Sequence, residues 1–496
     1  MKRLLLPLLL LFGFNVIAQN CESLRYVDEI FNDVERNTYL YGNADPYGIF
    51  SSQDLFMDVY TPVGDTLTKR PVIVFAYGGA FLIGDRRQPI IPEYCEYFSR
   101  RGYVTVSIDY RLGYNPISAN STERAVYRAV QDLRAAQRYL AEFSTDLGID
   151  IEHMFLTGTS AGCVTAFHSV YLTEADRPSS TFGILLEPSD LGCPNCSGNT
   201  YFNSQDVPVK GIINHWGAIQ NLNWIDTTAH DNVPCLSFHG TQDLVVPYNC
   251  GNAFQLPIWP QICGSGEIHP RLDEVGIDNQ LVTFYGAGHE PELTDMAYLD
   301  TMLMFATPFL FDLVKPETGL ISGMDTLDQS VVETYSVPAS TGSDYCWDIG
   351  QANLVSDNGN EIQISWDTPG TYTISVTELN CLHAEGDQQT LQVVVEPLTS
   401  IEDPNAANEI VIYPNPLRPG DDLKVELNGF QDLPFEKITI NDINGRIIFE
   451  DRLTALGGII IPGPVFAQLS SGIYVIKLEG QRHNLSRKLL LFPQQR

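Results

Sequence analysis

Between Gln19 and about Val314, short apolar runs rich in β-branched residues alternate with longer stretches of helical period. That is the pattern of a mostly parallel sheet covered by helices. The runs at 54–60, 72–76, 104–109, 154–157, 209–214, 236–239 and 281–285 predict strands. From 122 to 143, Val126, Val130, Leu133, Ala136 and Leu140 recur at three- and four-residue steps, which predicts a helix capped by Ser121 or Thr122. After Val314 the texture changes. Lys315-Pro316-Glu317-Thr318-Gly319 reads as a linker, and Ile362–Trp366 and Tyr372–Val376 then alternate apolar with polar around the turn Thr368-Pro369-Gly370. An all-β sandwich of about 80 residues follows from that spacing. A polar, proline-containing stretch at 398–408 leads into a second β-rich unit. The expected architecture is therefore an α/β domain over 19–315, a β-sandwich over 316–397, a linker over 398–408 and a further β-sandwich over 409–496.

The first residues carry Lys2 and Arg3, an apolar run from Leu4 to Phe14 and a small-residue site ending at Ala18, which predicts a signal peptide over 1–18. No later run approaches the ~20 apolar residues of a membrane-spanning helix, so no transmembrane segment is expected in the mature chain. Gln19 and Asn20 stand where a lipid-attachment signal needs small residues, which speaks against lipidation of Cys21. A formal net charge of −32 excludes nucleic acid and anionic membranes as expected partners. Ten cysteines in an exported chain predict disulfides, with Cys250/Cys263 and Cys346/Cys381 the favoured pairs, although spacing does not fix connectivity. Cys193-Pro194-Asn195-Cys196 sits among loop residues rather than at a helix start, so it is read as a structural bridge, or as two bridges to other cysteines, and not as a redox motif.

Chemistry enters at Gly158-Thr159-Ser160-Ala161-Gly162, which follows an apolar strand and precedes a small-residue helix start. A serine on such a strand-turn-helix elbow is the expected nucleophile, since flanking glycines let the chain turn sharply. A serine hydroxyl needs a base, and the base an orienting carboxylate. His239-Gly240-Thr241-Gln242-Asp243 and Gly286-Ala287-Gly288-His289-Glu290 each follow an apolar strand, putting Asp243 and His289 in loops on the same sheet edge as the elbow. Asp243 is assigned as orienter and His289 as general base and acid. His215 and His239 are rival bases but belong to strands or strand ends, and Glu187 and Asp190 are rival carboxylates. Gly79 and Ala80, in a Gly-rich loop after the 72–76 strand, are expected to donate backbone N–H groups to an oxyanion together with Ala161. No phosphate-loop pattern and no metal-ligand spacing is present, so neither a cofactor nor a metal is expected.

These residues resemble α/β-hydrolase carboxylesterases. Tyr77-Gly78-Gly79-Ala80-Phe81-Leu82-Ile83-Gly84 and Asp109-Tyr110-Arg111-Leu112-Gly113 look like type-B carboxylesterase segments. The loops holding Asp243 and His289 look more like smaller bacterial and feruloyl-esterase-like hydrolases. Tyr77 and Ala80 depart from the usual HGGG of the oxyanion segment, which leaves the N–H donors in place and bears only on the subfamily. The last segment is similar to type IX secretion sorting domains of Bacteroidetes, through Tyr413-Pro414-Asn415-Pro416, Asp442-Ile443-Asn444-Gly445-Arg446 and the stretch Leu469–Leu478, closed by Arg487-Lys488-Leu489-Leu490-Leu491. That resemblance implies export to the cell surface or beyond, with the type IX secretion machinery as partner. Residues 317–396 look like a PKD- or immunoglobulin-like module, carried by Cys346-Trp347 and Thr368–Tyr372. Together these imply a secreted serine esterase acting on acylated or feruloylated polysaccharides or on small esters. A peptidase of the same fold and a non-catalytic adhesin are the alternatives. The inserts at 174–208 and 245–280, the second holding Phe254 and Trp259, are expected to set the substrate, either as pocket walls or as mere core cover.

Overall fold

The computed structural model describes residues 24–48, 51–226, 232–397, 409–428, 435–443, 445–453, 459–480 and 484–492. The predicted signal peptide, Cys21 and the 398–408 linker lie outside the described residues.

Strands β1 (Val34–Ala44), β2 (Gln53–Pro62), β3 (Val72–Ala76), β4 (Val104–Ile108), β5 (Met154–Thr159), β6 (Gly211–His215) and β7 (Cys235–Gly240) belong to one sheet. A separate hairpin, β8 (Cys250–Asn252) and β9 (Gln261–Cys263), precedes the last strand of that sheet, β10 (Asn279–Phe284). The order is β1-β2-β4-β3-β5-β6-β7-β10, with antiparallel pairing from β1 to β4 and parallel pairing from there on. Every residue of β3 to β7 is buried, so these strands read in sequence as continuous apolar runs. The edge strand β1 was not predicted: its first half is largely exposed and polar, and it carries no such run.

Helices α1 (Ile90–Ser99), α2 (Ala119–Glu142), the single turn α3 (Ser144–Leu147), α4 (Ala161–Tyr171), α5 (Ser265–Val275) and α6 (Ala297–Val314) accompany the sheet. The predicted 122–143 helix is α2, but its cap is Ser118, whose side chain accepts from the Ser121 N–H, rather than Ser121 or Thr122. α2 is buried on its charged side as well. Arg124, Arg128, Arg134 and Arg138 are each at most 5 % exposed, because the 174–208 insert lies over them. Arg124 donates to the carbonyls of Ser180 and Ser189, Tyr127 to Gly192, Gln131 to Leu191 and Cys193, and Arg138 to Ser197 and Asn199. α6 is long and apolar enough to cross a membrane by length and composition, yet Leu299, Met302, Ala306, Leu310 and Val314 form a buried stripe that joins the core of the sheet domain.

The segment after α6 forms two facing sheets. β11 (Thr326–Asp328), β13 (Asp344–Asp348), β16 (Gly370–Leu379) and β17 (Gln389–Glu396) make one, and β12 (Glu333–Ser336), β14 (Asn353–Asp357) and β15 (Glu361–Ser365) the other. Ile362, Ile364, Trp366, Ile374 and Val393 fill the space between them, which accounts for the alternation seen in sequence. Leu382 and Ala384 enter the hydrolase-side core, Tyr26 donates to the Leu382 carbonyl at 2.8 Å, and Asn380 donates to the Val314 carbonyl at 2.7 Å. The described residues through Glu396 accordingly form one compact unit.

Cys193–Cys196 and Cys250–Cys263 are bridged. The expected Cys346/Cys381 pair is not formed: Cys346 is in a disulfide, but Cys381 is free and exposed. Cys346 faces Thr377 across the β13–β16 ladder, so Cys381 lies four residues further on. At ~3.3 Å per residue that exceeds the ~7 Å a bridge tolerates between Cα atoms.

The second unit carries β18 (Glu409–Tyr413), β19 (Leu423–Asn428) and β22 (Ile459–Ile461) in one sheet. The other sheet holds β20 (Lys437–Asp442), β21 (Ile447–Arg452), β23 (Gly472–Glu479) and β24 (Asn484–Leu491). The Asn415 side chain donates to the Lys488 carbonyl and accepts from the Leu490 N–H, joining the first motif of the unit to its last. Asn444 of the middle motif lies outside the described residues.

Candidate active site

Ser160 stands between β5 and α4 with φ 53° and ψ −117°, a backbone conformation that L-residues rarely adopt. Its neighbours make the turn possible. A Cβ at Gly158 or Gly162 would overlap the Ala76 carbonyl oxygen at the end of β3. The strain turns Ser160 Oγ toward His289, whose Nε2 lies 2.9 Å away. His289 Nδ1 lies 2.6 Å from Asp243 Oδ2. The other carboxylate oxygen of Asp243 accepts the N–H groups of Val245 at 2.8 Å and Val246 at 2.9 Å, which fixes the carboxylate plane. Burial pushes the Asp243 carboxyl up, but hydrogen bonds from His239 and His289 outweigh it and hold the group at about 2. It is an anion across the physiological range, and with Nδ1 donating to it the Nε2 of His289 is left as a hydrogen-bond acceptor facing Ser160 Oγ.

The structure thus brings Ser160, Asp243 and His289 together and keeps Glu187, Asp190 and His215 engaged elsewhere. Glu187 accepts from Ser121 and pairs with Arg124 and Arg128, while Asp190 pairs with Arg177. His215 is buried, stacks on Phe238, and is lowered to about 3 by burial alone. His239 does more than pack. Its Nε2 lies 3.4 Å from Asp243 Oδ2 and 3.1 Å from the Val246 carbonyl, and its Nδ1 lies 2.9 Å from Ser265 Oγ. The four-residue spacing from His239 to Asp243 across a turn is the signal that would have disclosed this contact.

The loop after β3 runs beside Ser160: a Cβ on Gly78 would meet Thr159 Oγ1 at 3.0 Å and Ser160 Cβ at 3.4 Å. Gly79 has φ 121°, a value that favours glycine, and its carbonyl accepts from the N–H groups of Leu82 and Ile83. Ala80 follows with φ 53°. Among the described residues the N–H groups of Gly79, Ala80 and Ala161 donate to no protein carbonyl outside a regular element, and Ala161 opens α4, where the first N–H groups have no helical acceptor. Tyr77 stacks on Tyr110 with centroids 4.2 Å apart, and the Tyr110 hydroxyl donates to the Tyr77 carbonyl at 2.8 Å. The tyrosine that departs from HGGG therefore anchors the root of the loop. Arg111 of the neighbouring motif pairs with Asp132 of α2 at 2.8 Å.

A cleft of about 590 Å³, open mouth included, begins at Ser160. Phe81, Val126, Val164, Phe254 and Trp259 contribute its apolar walls. The second insert therefore supplies cleft walls through its disulfide-stapled β8–β9 hairpin, whereas the first serves chiefly as cover for α2. No group of three or more His, Cys, Asp or Glu suited to a metal occurs among the described residues.

Residues 57–233 match the BD-FAE family model, and residues 411–491 match that of the secretion system C-terminal sorting domain. Esterase LipI of Mycobacterium tuberculosis is 26% identical over 170 residues, 32% of this chain and 48% of that protein. Carboxylesterase NlhH of the same organism is 26% identical over 251 residues, 48% of this chain and 68% of that protein. The chain thus spans about half the length of the first of these relatives and about two thirds of the second. Among solved structures, Thermogutta terrifontis esterase 2 phosphorylated by paraoxon aligns at 22% identity and a TM-score of 0.41, covering 56% of this chain and 94% of that one. The sorting domain marks a secreted or cell-surface protein. The chain thus carries a match to the BD-FAE family over residues 57–233 and, further along, a match to the secretion system C-terminal sorting domain over residues 411–491.

Proposed function

We propose that the protein is a secreted serine esterase that hydrolyses carboxylic esters through an acyl-enzyme, with Ser160, His289 and Asp243 as its triad. The observation that carries this reading is the continuous chain from Ser160 Oγ to His289 Nε2, 2.9 Å, and from His289 Nδ1 to Asp243 Oδ2, 2.6 Å, at a strained elbow.

Ser160 Oγ attacks the ester carbonyl carbon while its proton passes to His289 Nε2. The carbonyl oxygen becomes an oxyanion, held by the N–H groups of Gly79, Ala80 and Ala161. Asp243 stabilises the imidazolium and keeps its orientation. The C–O bond to the alcohol then breaks, the leaving oxygen takes the proton from His289, and an acyl-Ser160 remains. Water, deprotonated by the same nitrogen, attacks the acyl carbon, and Ser160 leaves with the proton. Acyl groups on polysaccharides, feruloyl groups included, and small esters are the substrates that an exported BD-FAE domain suits. The secretion machinery is the partner of the C-terminal unit, and the 316–397 sandwich, PKD- or immunoglobulin-like, acts as a spacer.

Hydrolysis of p-nitrophenyl acetate, butyrate and octanoate by the full chain, beside Ser160→Ala, tests the proposal. Turnover that disappears in the variant while its unfolding curve is unchanged is the expected result. No turnover by folded wild-type protein overturns it, and preferential cleavage of a peptide p-nitroanilide would put a peptidase of the same fold in its place.

A further inference from the structure

The apolar cleft beside Ser160 has a polar end that the two-step reaction does not use. Glu123 of α2 contributes a carboxylate to the lining, and its two oxygens accept from Gln220 Nε2 and Ser180 Oγ. It has no ion-pair partner among the described residues, and the helix cations nearest in sequence, Arg124 next to it and Arg128 five residues on, are engaged with Glu187. His168 also lines the cleft, with its edge against Trp224. Its Nδ1 lies 2.7 Å from the Val164 carbonyl and must donate to it, so Nε2 is the acceptor. Burial lowers this imidazole to about 4, so it stays neutral at working pH. A carboxylate with two filled and two unfilled acceptor positions and a neutral imidazole acceptor therefore face a space lined mostly by hydrocarbon, with Thr122 and Gln220 beside them. An apolar occupant would leave the two open positions of the carboxylate and the imidazole Nε2 unmatched, at the cost that unsatisfied acceptors carry.

The position of the cleft says which part of the ester it takes. The alcohol must leave next to His289, which protonates it, and His289 is absent from the lining of the cleft. The acyl group is therefore the occupant. Ala161 and Val164 line the cleft near the nucleophile and His168 lines it two turns on, seven residues or ~10 Å along α4 at ~1.5 Å per residue.

We infer that Glu123, with His168, is a specificity determinant that selects esters whose acyl group is apolar along its length and carries a hydroxyl donor near its far end, about eight carbons from the carbonyl. This rests on the esterase reading above and deepens it.

The test compares kcat/KM of the full chain on p-nitrophenyl esters of 8-hydroxyoctanoate, 8-methoxyoctanoate and octanoate, with wild type, Glu123→Gln and Glu123→Leu. Wild type is expected to prefer the hydroxy ester over the methoxy ester by about 10- to 100-fold, the value of a hydrogen bond to a charged acceptor. Glu123→Leu is expected to bring that ratio to within about 3-fold of unity, and Glu123→Gln, which retains an acceptor, to an intermediate value. Because the readout is a ratio within one variant, a general loss of turnover does not mimic it. Equal rates on the hydroxy and methoxy esters in wild type overturn the inference while leaving the esterase intact. A ratio unchanged in Glu123→Leu removes Glu123 from the role, and if that variant fails to fold, Glu123→Gln decides it in the same way. Absence of turnover on all three esters and on p-nitrophenyl acetate overturns the esterase reading, and this inference with it.

Discussion

The α-carbon of Gly162 packs so closely on the carbonyl oxygen of Ala76 that a side chain at this position would occupy the space of that oxygen. The first turn of α4 and the end of β3 are thereby held together, and the elbow bearing Ser160 is fixed between them. Gly162→Ala must push two backbone segments apart. It is expected to destabilise the protein by more than about 3 kcal/mol and to lower turnover even where folding is retained at low temperature. Urea unfolding beside the initial rate on p-nitrophenyl acetate checks this. Wild-type stability in the variant would mean that the close approach is relaxed in solution.

Asp243→Asn should act through proton placement rather than through packing. The amide presents an N–H where the carboxylate accepted one, so the imidazole of His289 turns its proton toward Ser160 and loses the lone pair that the mechanism requires. A fall of about 10⁴-fold in kcat with little change in KM is expected. Steady-state kinetics on p-nitrophenyl butyrate settle the magnitude, and a loss of less than about tenfold would take Asp243 out of the triad.

Glu292, just after His289, is 3 % exposed, and its Oε2 has no hydrogen-bond partner. Burial raises its carboxyl from 4.5 to about 7. A raised carboxyl favours the folded state fully only below the unfolded value. As pH climbs from about 4.5 through 7 the unfolded chain gives up its proton first, and up to about 3 kcal/mol of stability is lost. Glu292→Gln removes that penalty. Its gain over wild type should be near zero at pH 4 and grow to its full size by pH 8, as read from denaturant midpoints. A gain that does not vary with pH would show that Glu292 does not titrate in this window.

The Cys250–Cys263 bridge closes a short loop that carries Phe254 and Trp259 into the cleft. The double replacement Cys250→Ser, Cys263→Ser is expected to lower stability by about 2–3 kcal/mol. It should also raise KM for octanoate more than for acetate, because only the longer chain reaches those walls. Parallel changes in the two KM values would place the hairpin outside acyl recognition.

Where a residue's task is set by its own element, the sequence displays it. β3, β4, β5, β6 and β7 are buried along their whole length and announce themselves as apolar runs, and Ser160 sits in the one strand-turn-helix context that suits an elbow. Asp243 and His289 each follow such a strand, which is what singles out their loops in the sequence, and the structure adds the distances. What stayed hidden depends on partners remote in the chain. Nothing local to Arg124 or Arg128 tells that residues some 60 positions on will bury them. Glu123 looks like an ordinary solvent-facing helical glutamate until Gln220 and Ser180 are folded against it. Cys346 and Cys381 share one loop-rich region of the sequence, and ladder register separates them.

The arginines of α2 grip the 174–208 insert mostly by its main chain: the acceptors at Ser180, Ser189, Ser197 and Asn199 are peptide carbonyls, which every residue type offers. Three side chains are held as well: Glu187 by Arg124 and Arg128, Asn195 by Arg138, and Asp206 by Arg134. The helix is in this sense a socket, indifferent to most of the letters plugged into it. Leu185, 95 % exposed, can be exchanged while the loop stays seated. The rim of the protein is thus free to drift, or to be redesigned, on a mount that does not need to change with it.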